Sequence, residues 1–318
     1  MTSIMTNAGA ISAVDQLRTI MSLRSEAQQQ INTGLRISAA SDNTAYWSIA
    51  TTMRSDKSAL SATEDSLGMG AAVVDTAYSG MKNAIYLVDE IKTKLIYARE
   101  GGVSREKLNA EIDALREQLR TVVDSSEFYG ENWLLRRNAS DDADKQVIGS
   151  FNRDTQNNVS LTMLTYSMDN ALGTKHLIDE DSQDGILTNA DYAAELGFDT
   201  DWVIINGSNA PDAHTEFHLD RNTTFEQVDE MIQVTERMLQ AMTDAAAGLG
   251  SLMSRIELQK GFVVDLQDTQ TRGVGRLVDA ALAAASVRLR AVAAQRDLAT
   301  LALSIANDSQ MAMLRLLD

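Results

Sequence analysis

Apolar positions recur along this chain with helical spacing at both ends and lose that spacing in the middle. Ile11, Val14, Leu17 and Met21 are spaced by three, three and four, and Ala27, Ile31 and Leu35 continue at steps of four. This predicts a helix over residues 11–35, with Gly34 near its end. Met53, Leu60, Leu67, Val74, Met81, Val88 and Leu95 then fall at unbroken intervals of seven, with Ala77, Ala84 and Ile91 forming a second row. A sustained seven-residue repeat is the pattern of coiled-coil packing. Gly68, Gly70 and Gly80 lie inside it and lower intrinsic helix propensity, so packing must supply the difference. Gly101-Gly102 ends that helix. Ser104 is placed to cap the next, which carries Leu108, Ile112, Leu115, Leu119 and Val122.

From about Phe128 the pattern changes to frequent Gly, Asn and Asp. Short apolar runs such as Val159-Ser160-Leu161 and Trp202-Val203-Ile204-Ile205 read as strands. Helix returns at Thr223-Thr224-Phe225-Glu226, which fits a capping box. Its apolar face holds Val228, Met231, Met238, Met242, Ala245, Leu249, Leu252 and Ile256. Gly273 and Gly275 mark an expected joint. The last helix carries Val278, Leu282, Ala285, Leu289, Val292, Arg296, Ala299, Leu303 and Ala306 at alternating steps of four and three, with Ile305 nearby. Alanines make its remaining faces apolar as well, and a helix apolar nearly all round has to be buried. Arg288, Arg290, Arg296 and Asp297 argue against lipid, so several copies of the same chain are its expected surroundings.

The fold class expected is mainly α: long antiparallel coiled-coil helices from both termini forming a rod, with a small α/β or β-containing insertion at the far end. The run Met53–Leu95 alone would extend about 65 Å at ~1.5 Å per residue. Three parts follow: an inner coiled-coil domain (1–40 and 275–318), an outer helical domain (41–137 and 221–274) and a variable solvent-exposed insertion (138–220).

Composition sharpens this picture. The chain has 318 residues, 44% apolar and only 5% aromatic, with a single Pro (Pro211) and no Cys. Low Pro favours uninterrupted helices. The net charge of −17 is concentrated in 138–220, which holds 16 Asp and Glu against 3 Lys and Arg, while both ends are near neutral. An exposed middle between buried ends accounts for that asymmetry. Nucleic acid is excluded as a partner, because phosphate binding needs clustered cations. No run is long and apolar enough for a membrane-spanning helix, and Met1-Thr2-Ser3-Ile4-Met5-Thr6-Asn7 lacks the basic and apolar regions of an ordinary secretory signal.

Few residues suggest chemistry. His214-Thr215-Glu216-Phe217-His218 has its Glu one position too far on for a zinc-protease helix motif, so a solvated polar strand is expected. Asp179-Glu180-Asp181-Ser182-Gln183-Asp184-Gly185 places its Gly one position late for a calcium loop and reads as a solvated acidic loop. No catalytic, cofactor-binding or metal residues are assigned.

The segment Ile31-Asn32-Thr33-Gly34-Leu35-Arg36-Ile37-Ser38-Ala39-Ala40-Ser41-Asp42-Asn43 resembles the S-x-G-L-R-I-x-x-A-x-D pattern of bacterial flagellins. Ala45 to Asp56 is similar to the alpha-proteobacterial members, and Phe128-Tyr129-Gly130-Glu131-Asn132-Trp133-Leu134-Leu135 to the family's F-x-G-x-x-L-L. Ser254-Arg255-Ile256-Glu257 and Leu301 to Asn307 match on the C-terminal side. The resemblance implies a non-enzymatic subunit that self-polymerises through its terminal helices into an extracellular flagellar filament for swimming. Packing in the filament core then falls to Ile11, Val14, Leu17, Met21, Ile31, Val278, Leu282, Leu289, Val292, Leu303 and Ile305. Leu35, Arg36, Ile37 and Asp42 form an inter-layer motif, and Met53, Leu60, Leu67, Val74, Met81, Val88 and Leu95 form the rod core. Implied partners are other copies, related flagellins, the flagellar export apparatus with its chaperone, the filament cap and hook-associated proteins. The alternative is a hook–filament junction protein, whose usual Pro-Ser-Asp-Asp-Pro is absent from Ala40-Ser41-Asp42-Asn43-Thr44.

Overall fold

A computed structural model describes residues 6–100, 102–138, 144–208 and 214–315. Met1 to Met5 of the N-terminal signal reading, Gly101, Pro211 and parts of the insertion lie outside these residues. The chain is mainly α, with small strands confined to its middle, as the patterning predicts. It divides into two compact units, residues 1–58 with 266–318, and residues 59–265.

In the first unit, α1 (Ala8–Thr33) and α6 (Leu282–Arg315) pack antiparallel. Asn7 caps α1 by accepting from the Ala10 amide at 2.9 Å, and its Nδ2 donates to Ala306 O at 3.0 Å. At the other end Gly34, in the left-handed region at φ 71°, closes α1, and its carbonyl accepts from Ala280 N at 2.9 Å. The buried and half-buried side of α1 runs Ala10, Ala13, Leu17, Ile20, Arg24, Ala27, Ile31. It faces the α6 row Ala285, Leu289, Val292, Arg296, Ala299, Leu303. Small Ala at five of these thirteen positions allows close helix approach. The expected joint at Gly273–Gly275 is one turn too early: α5 (Phe225–Val278) continues through both glycines, and the break lies at 279–281. Gly273 is instead where the Met53 side chain fits, since a Cβ there would sit 2.7 Å from Met53 Cε.

In the second unit, α2 (Thr44–Arg99) contributes Leu60, Thr63, Leu67, Gly70, Val74, Ala77, Met81, Ala84, Val88, Ile91, Leu95 and Ala98 at alternating steps of three and four. The buried row of α5 has the same spacing from Val228 to Ile256. Lys92–Glu236 and Arg99–Asp229, both at 2.8 Å, flank the seam and run in opposite directions along it, which makes the pairing antiparallel. α3 (Arg105–Ser125) adds Leu108, Ile112, Leu119 and Val123; the last replaces the expected Val122, which is half-buried. Ser104 holds the N-cap position, but its hydroxyl makes no capping bond; its carbonyl accepts from Lys107 N and Leu108 N. The capping box of α5 sits one residue later than expected. Thr224 Oγ1 accepts from Gln227 N at 3.2 Å, and Gln227 Oε1 from Thr224 N at 2.9 Å.

The middle of the chain forms two-stranded pieces. β1 (Glu127–Phe128) and β2 (Glu131–Asn132) join through Tyr129 and Gly130, both at positive φ, the pattern of a type I′ two-residue hairpin turn. β3 (Leu135–Arg136) pairs in parallel with β8 (Ile178–Asp179). β4 (Lys145–Arg153) and β5 (Val159–Tyr166) form a long antiparallel hairpin, and β6 (Asp169–Asn170) with β7 (Gly173–Thr174) a short one. After α4 (Asp191–Glu195), β9 (Trp202–Val203) pairs in parallel with β10 (Thr215–Glu216). The acidic loop is not simply solvated. Asp179 is fully buried, and its carboxylate accepts from the amides of Asp181, Ser182 and Asp184 and from Arg136 Nη1 at 3.1 Å.

Candidate self-assembly site

Two features of the terminal unit are candidates for function. The first is the turn that links α1 to α2. Arg36 N and Ile37 N donate to Val278 O at 2.7 and 3.3 Å, and Arg36 Nη2 donates to Leu277 O at 2.8 Å. Leu35 forms a β-bridge with Asp279. The last carbonyls of a helix lack intrahelical partners, so α5 ends against a backbone and a guanidinium that satisfy them. Asp42 turns inward on its own loop, its Oδ2 accepting from Ser38 N at 2.9 Å, Ala39 N at 3.0 Å and Ser38 Oγ at 3.2 Å. The Ser38 and Ala39 amides hold its carboxyl below the usual 3.8. Asn43 then starts α2 by accepting from Tyr46 N at 3.1 Å. Ile37, Ala50 and Val278 are buried beneath this turn, with Leu35, Trp47, Val274 and Leu277 packed around them. Arg36 therefore serves the end of α5 and Asp42 braces its own loop, rather than the two forming an ion pair with each other.

The second feature is what α1 and α6 leave uncovered. Leu298 is 66% exposed, Val287 65%, Ile305 61%, Ile11 55% and Met21 54%; Leu282, Leu301 and Met311 are also exposed. Of the residues expected in filament-core packing, Val278 and Val292 are buried, and Val14, Leu17, Ile31, Leu289 and Leu303 are half-buried on or beside the α1–α6 seam. Ile11, Met21, Leu282 and Ile305 lie outside it. A groove of about 950 Å³ runs between the two helices, lined chiefly by Ile11, Gln16, Ile20, Gln295, Leu298 and Ala302. Side chains of this size exposed in such number on one helix pair mark a surface that associates.

Elsewhere the polar clusters bond internally. Glu216 accepts from Asn206 N at 2.9 Å and pairs with Arg116, which also meets Asp113. Phe217 is buried against Trp202, edge to face at 6.2 Å. The His214–His218 strand is thus an attachment to α3, and among the described residues no group of three or more His, Asp or Glu is arranged to hold a metal. Of the heptad row, Leu60, Leu67, Val74, Met81, Val88 and Leu95 are buried and Met53 is half-buried. Sequence reasoning missed the roles of Gly70 and Gly80, which receive Val147 and Ser126 with Leu134 from the following segment. Their only signal was an otherwise costly glycine in a strong heptad.

A chain whose two ends pair as helices and expose apolar faces belongs to the class of subunits built to polymerise. Residues 4–139 match the family model described as the bacterial flagellin N-terminal helical region, and residues 232–317 the bacterial flagellin C-terminal helical region. The chain is 42% identical to Flagellin C of Rhizobium meliloti (strain 1021) over 322 residues, covering 99% of both. It is 38% identical to Flagellin A of that strain, covering 98% of both, and 34% identical to the flagellin of Brucella melitensis biotype 1, covering 99% of both. The chain belongs to the bacterial flagellins and is a structural subunit of the flagellar filament.

Proposed function

We propose that the chain polymerises through the uncovered faces of α1 and α6, each copy's exposed apolar rows being buried by neighbouring copies. The observation that carries this is the mismatch on α6: one seam is covered by α1, while Leu282, Val287, Leu298, Leu301 and Ile305 on its other sides face solvent. Burial of such a side chain is worth roughly 1.5–3 kcal/mol. In this reading residues 1–40 and 275–318 form the inner layer, 41–137 and 221–274 the outer one, and 138–220 stays in solvent. The Leu35–Asp42 turn fixes the geometry between layers. The chain leaves the cell through the flagellar export apparatus with a chaperone, assembles beneath a cap, and meets hook-associated proteins and related flagellins. It performs no catalysis and uses no cofactor.

The test is seeded polymerisation of the full chain, pelleting and negative-stain imaging, set against a Val287→Asp/Leu298→Asp double variant. Both positions are exposed, so circular dichroism of the free variant should be unchanged while filaments are lost. Normal filaments from the variant would sink the reading.

A further inference from the structure

We propose that the outer edge of β5 is a self-recognition strand: Val159–Met163 pairs antiparallel with the same segment of a second copy of this chain, about a two-fold axis at Leu161. Among the described residues its sheet contains β4 and β5 alone, so the far edge of β5 carries unpaired backbone groups. Val159, Ser160, Leu161, Thr162 and Met163 are all exposed, which leaves both faces of this stretch open as well. The hairpin is nevertheless firmly placed. Val147 of β4 seats on Gly70 of α2, and Tyr166 at the end of β5 donates to Ala245 O of α5 at 3.0 Å. Its turn is closed by the Asp154 carboxylate, which accepts from Gln156 N at 2.9 Å and Asn158 N at 2.7 Å.

Exposed edges are normally blunted by charges, Pro or bulges. Here those devices sit on β4, which has Lys145, Arg153 and an irregularity between Ile148 and Ser150, whereas β5 contains no charge and no Pro. The occupant follows from the sequence and charge of the strand. Paired antiparallel about Leu161, Val159 meets Met163, Ser160 meets Thr162 and Leu161 meets itself, so apolar groups oppose apolar groups and hydroxyls oppose hydroxyls. Residues 145–166 hold Lys145, Arg153 and Asp154, a net +1 in a chain of −17. The hairpin is thus a nearly neutral patch within the acidic stretch, where two copies can meet without strong like-charge repulsion. Two-fold pairing joins two chains and closes, unlike the head-to-tail contacts that build a filament. Filaments displaying many copies therefore adhere side by side, because many weak pairs act together.

The chain has no Cys, so single cysteines report the register directly. Opposed residues in an antiparallel pair have Cα atoms roughly 4.5–5.5 Å apart, within disulfide reach. Under mild oxidation of free monomer, Leu161→Cys alone and a mixture of Val159→Cys with Met163→Cys should give covalent dimer at least ~tenfold faster than Val159→Cys alone, whose thiols would lie four residues apart. Equal cross-linking in all cases, or none, overturns the proposal. On filaments, Leu161→Lys should abolish low-speed sedimentation of bundles while leaving high-speed pelleting intact. Wild-type filaments that never bundle, or variant filaments that bundle as the wild type does, also overturn it. The cross-linking arm uses monomer, so a failure of the polymerisation reading would show separately, as loss of high-speed pelleting.

Discussion

At the scale of single residues, the glycines of α2 separate two effects that look identical in the sequence. Gly68 and Gly80 both sit in a heptad helix, and each should cost roughly 1 kcal/mol relative to Ala on propensity alone. A Cβ on Gly68 would meet nothing within 4 Å, whereas one on Gly80 would stand 2.7 Å from Leu134 Cδ1 and collide with Ser126. Leu134 is buried and cannot give way freely. Gly68→Ala should therefore stabilise the free chain by up to ~1 kcal/mol. Gly80→Ala should destabilise it by about 1–3 kcal/mol, the usual range for an overpacked core. Denaturant midpoints of the two variants would check this, and a stabilised Gly80→Ala would remove the close approach. Periodicity could not reveal the distinction, because Ser126 and Leu134 lie 46 and 54 positions from Gly80. The same limit hid the burial of Asp179: the amides of Asp181, Ser182 and Asp184 are its near neighbours in sequence, but only the fold brings Arg136, 43 positions earlier, onto it. By contrast, the heptad residues Leu60 to Leu95 were legible because their burial repeats with the helix's own period.

At the scale of elements, the middle of the chain is tied to the helices by two tyrosines. Tyr166 stacks on Trp133 with centroids 6.0 Å apart, bonds Ala245 O and lies against Gly248, where a Cβ would be 3.0 Å from its ring. Tyr192 of α4 receives a hydrogen bond from Asn170 Nδ2 at 3.0 Å and lies beside Arg237. Burial pushes both phenols up to about 12 from 10.0, the Arg237 charge and the Asn170 bond opposing the rise at Tyr192. A raised folded value means the neutral form is favoured in the fold. The contribution is then fully present below pH 10.0 and is lost as pH rises toward about 12. Each group accounts for roughly 2–3 kcal/mol across that window. Alkaline titration should show unfolding of the middle segment coincident with late tyrosinate absorbance. Replacing both residues by Phe should remove that late titration and flatten stability over the same window. Where the elements begin and end was only partly legible. The α6 stripe from Ala285 to Leu303 is the predicted one, while the α1 seam is turned toward Ala10, Ala13 and Ile20, leaving Ile11 and Met21 outside it. Both rows of α1 are apolar, so periodicity alone could not choose between them.

At the scale of the whole molecule, charge and apolar surface are held in different parts of the chain. Residues 138–220 hold 16 acidic against 3 basic residues, while α1 and α6 expose Ile11, Met21, Val287, Leu298 and Ile305. Polymerisation brings many copies of both together, so burial of the ends must outweigh repulsion among the acidic middles. Apolar burial is insensitive to modest salt, whereas exposed charges are screened beyond roughly 8 Å at physiological ionic strength. The critical concentration for assembly should therefore fall several-fold between about 0.01 and 0.15 M salt, over which the screening length shortens from ~30 to ~8 Å. Asp169, Asp199 and Asp201 are exposed members of the acidic stretch. Changing all three to Asn should lower the critical concentration at low salt and shrink its salt dependence, without altering it at high salt. Equal shifts at both salts would mean that the substitutions act on packing. An unchanged salt slope would place the repulsion among the near-neutral ends, contrary to where the charge lies.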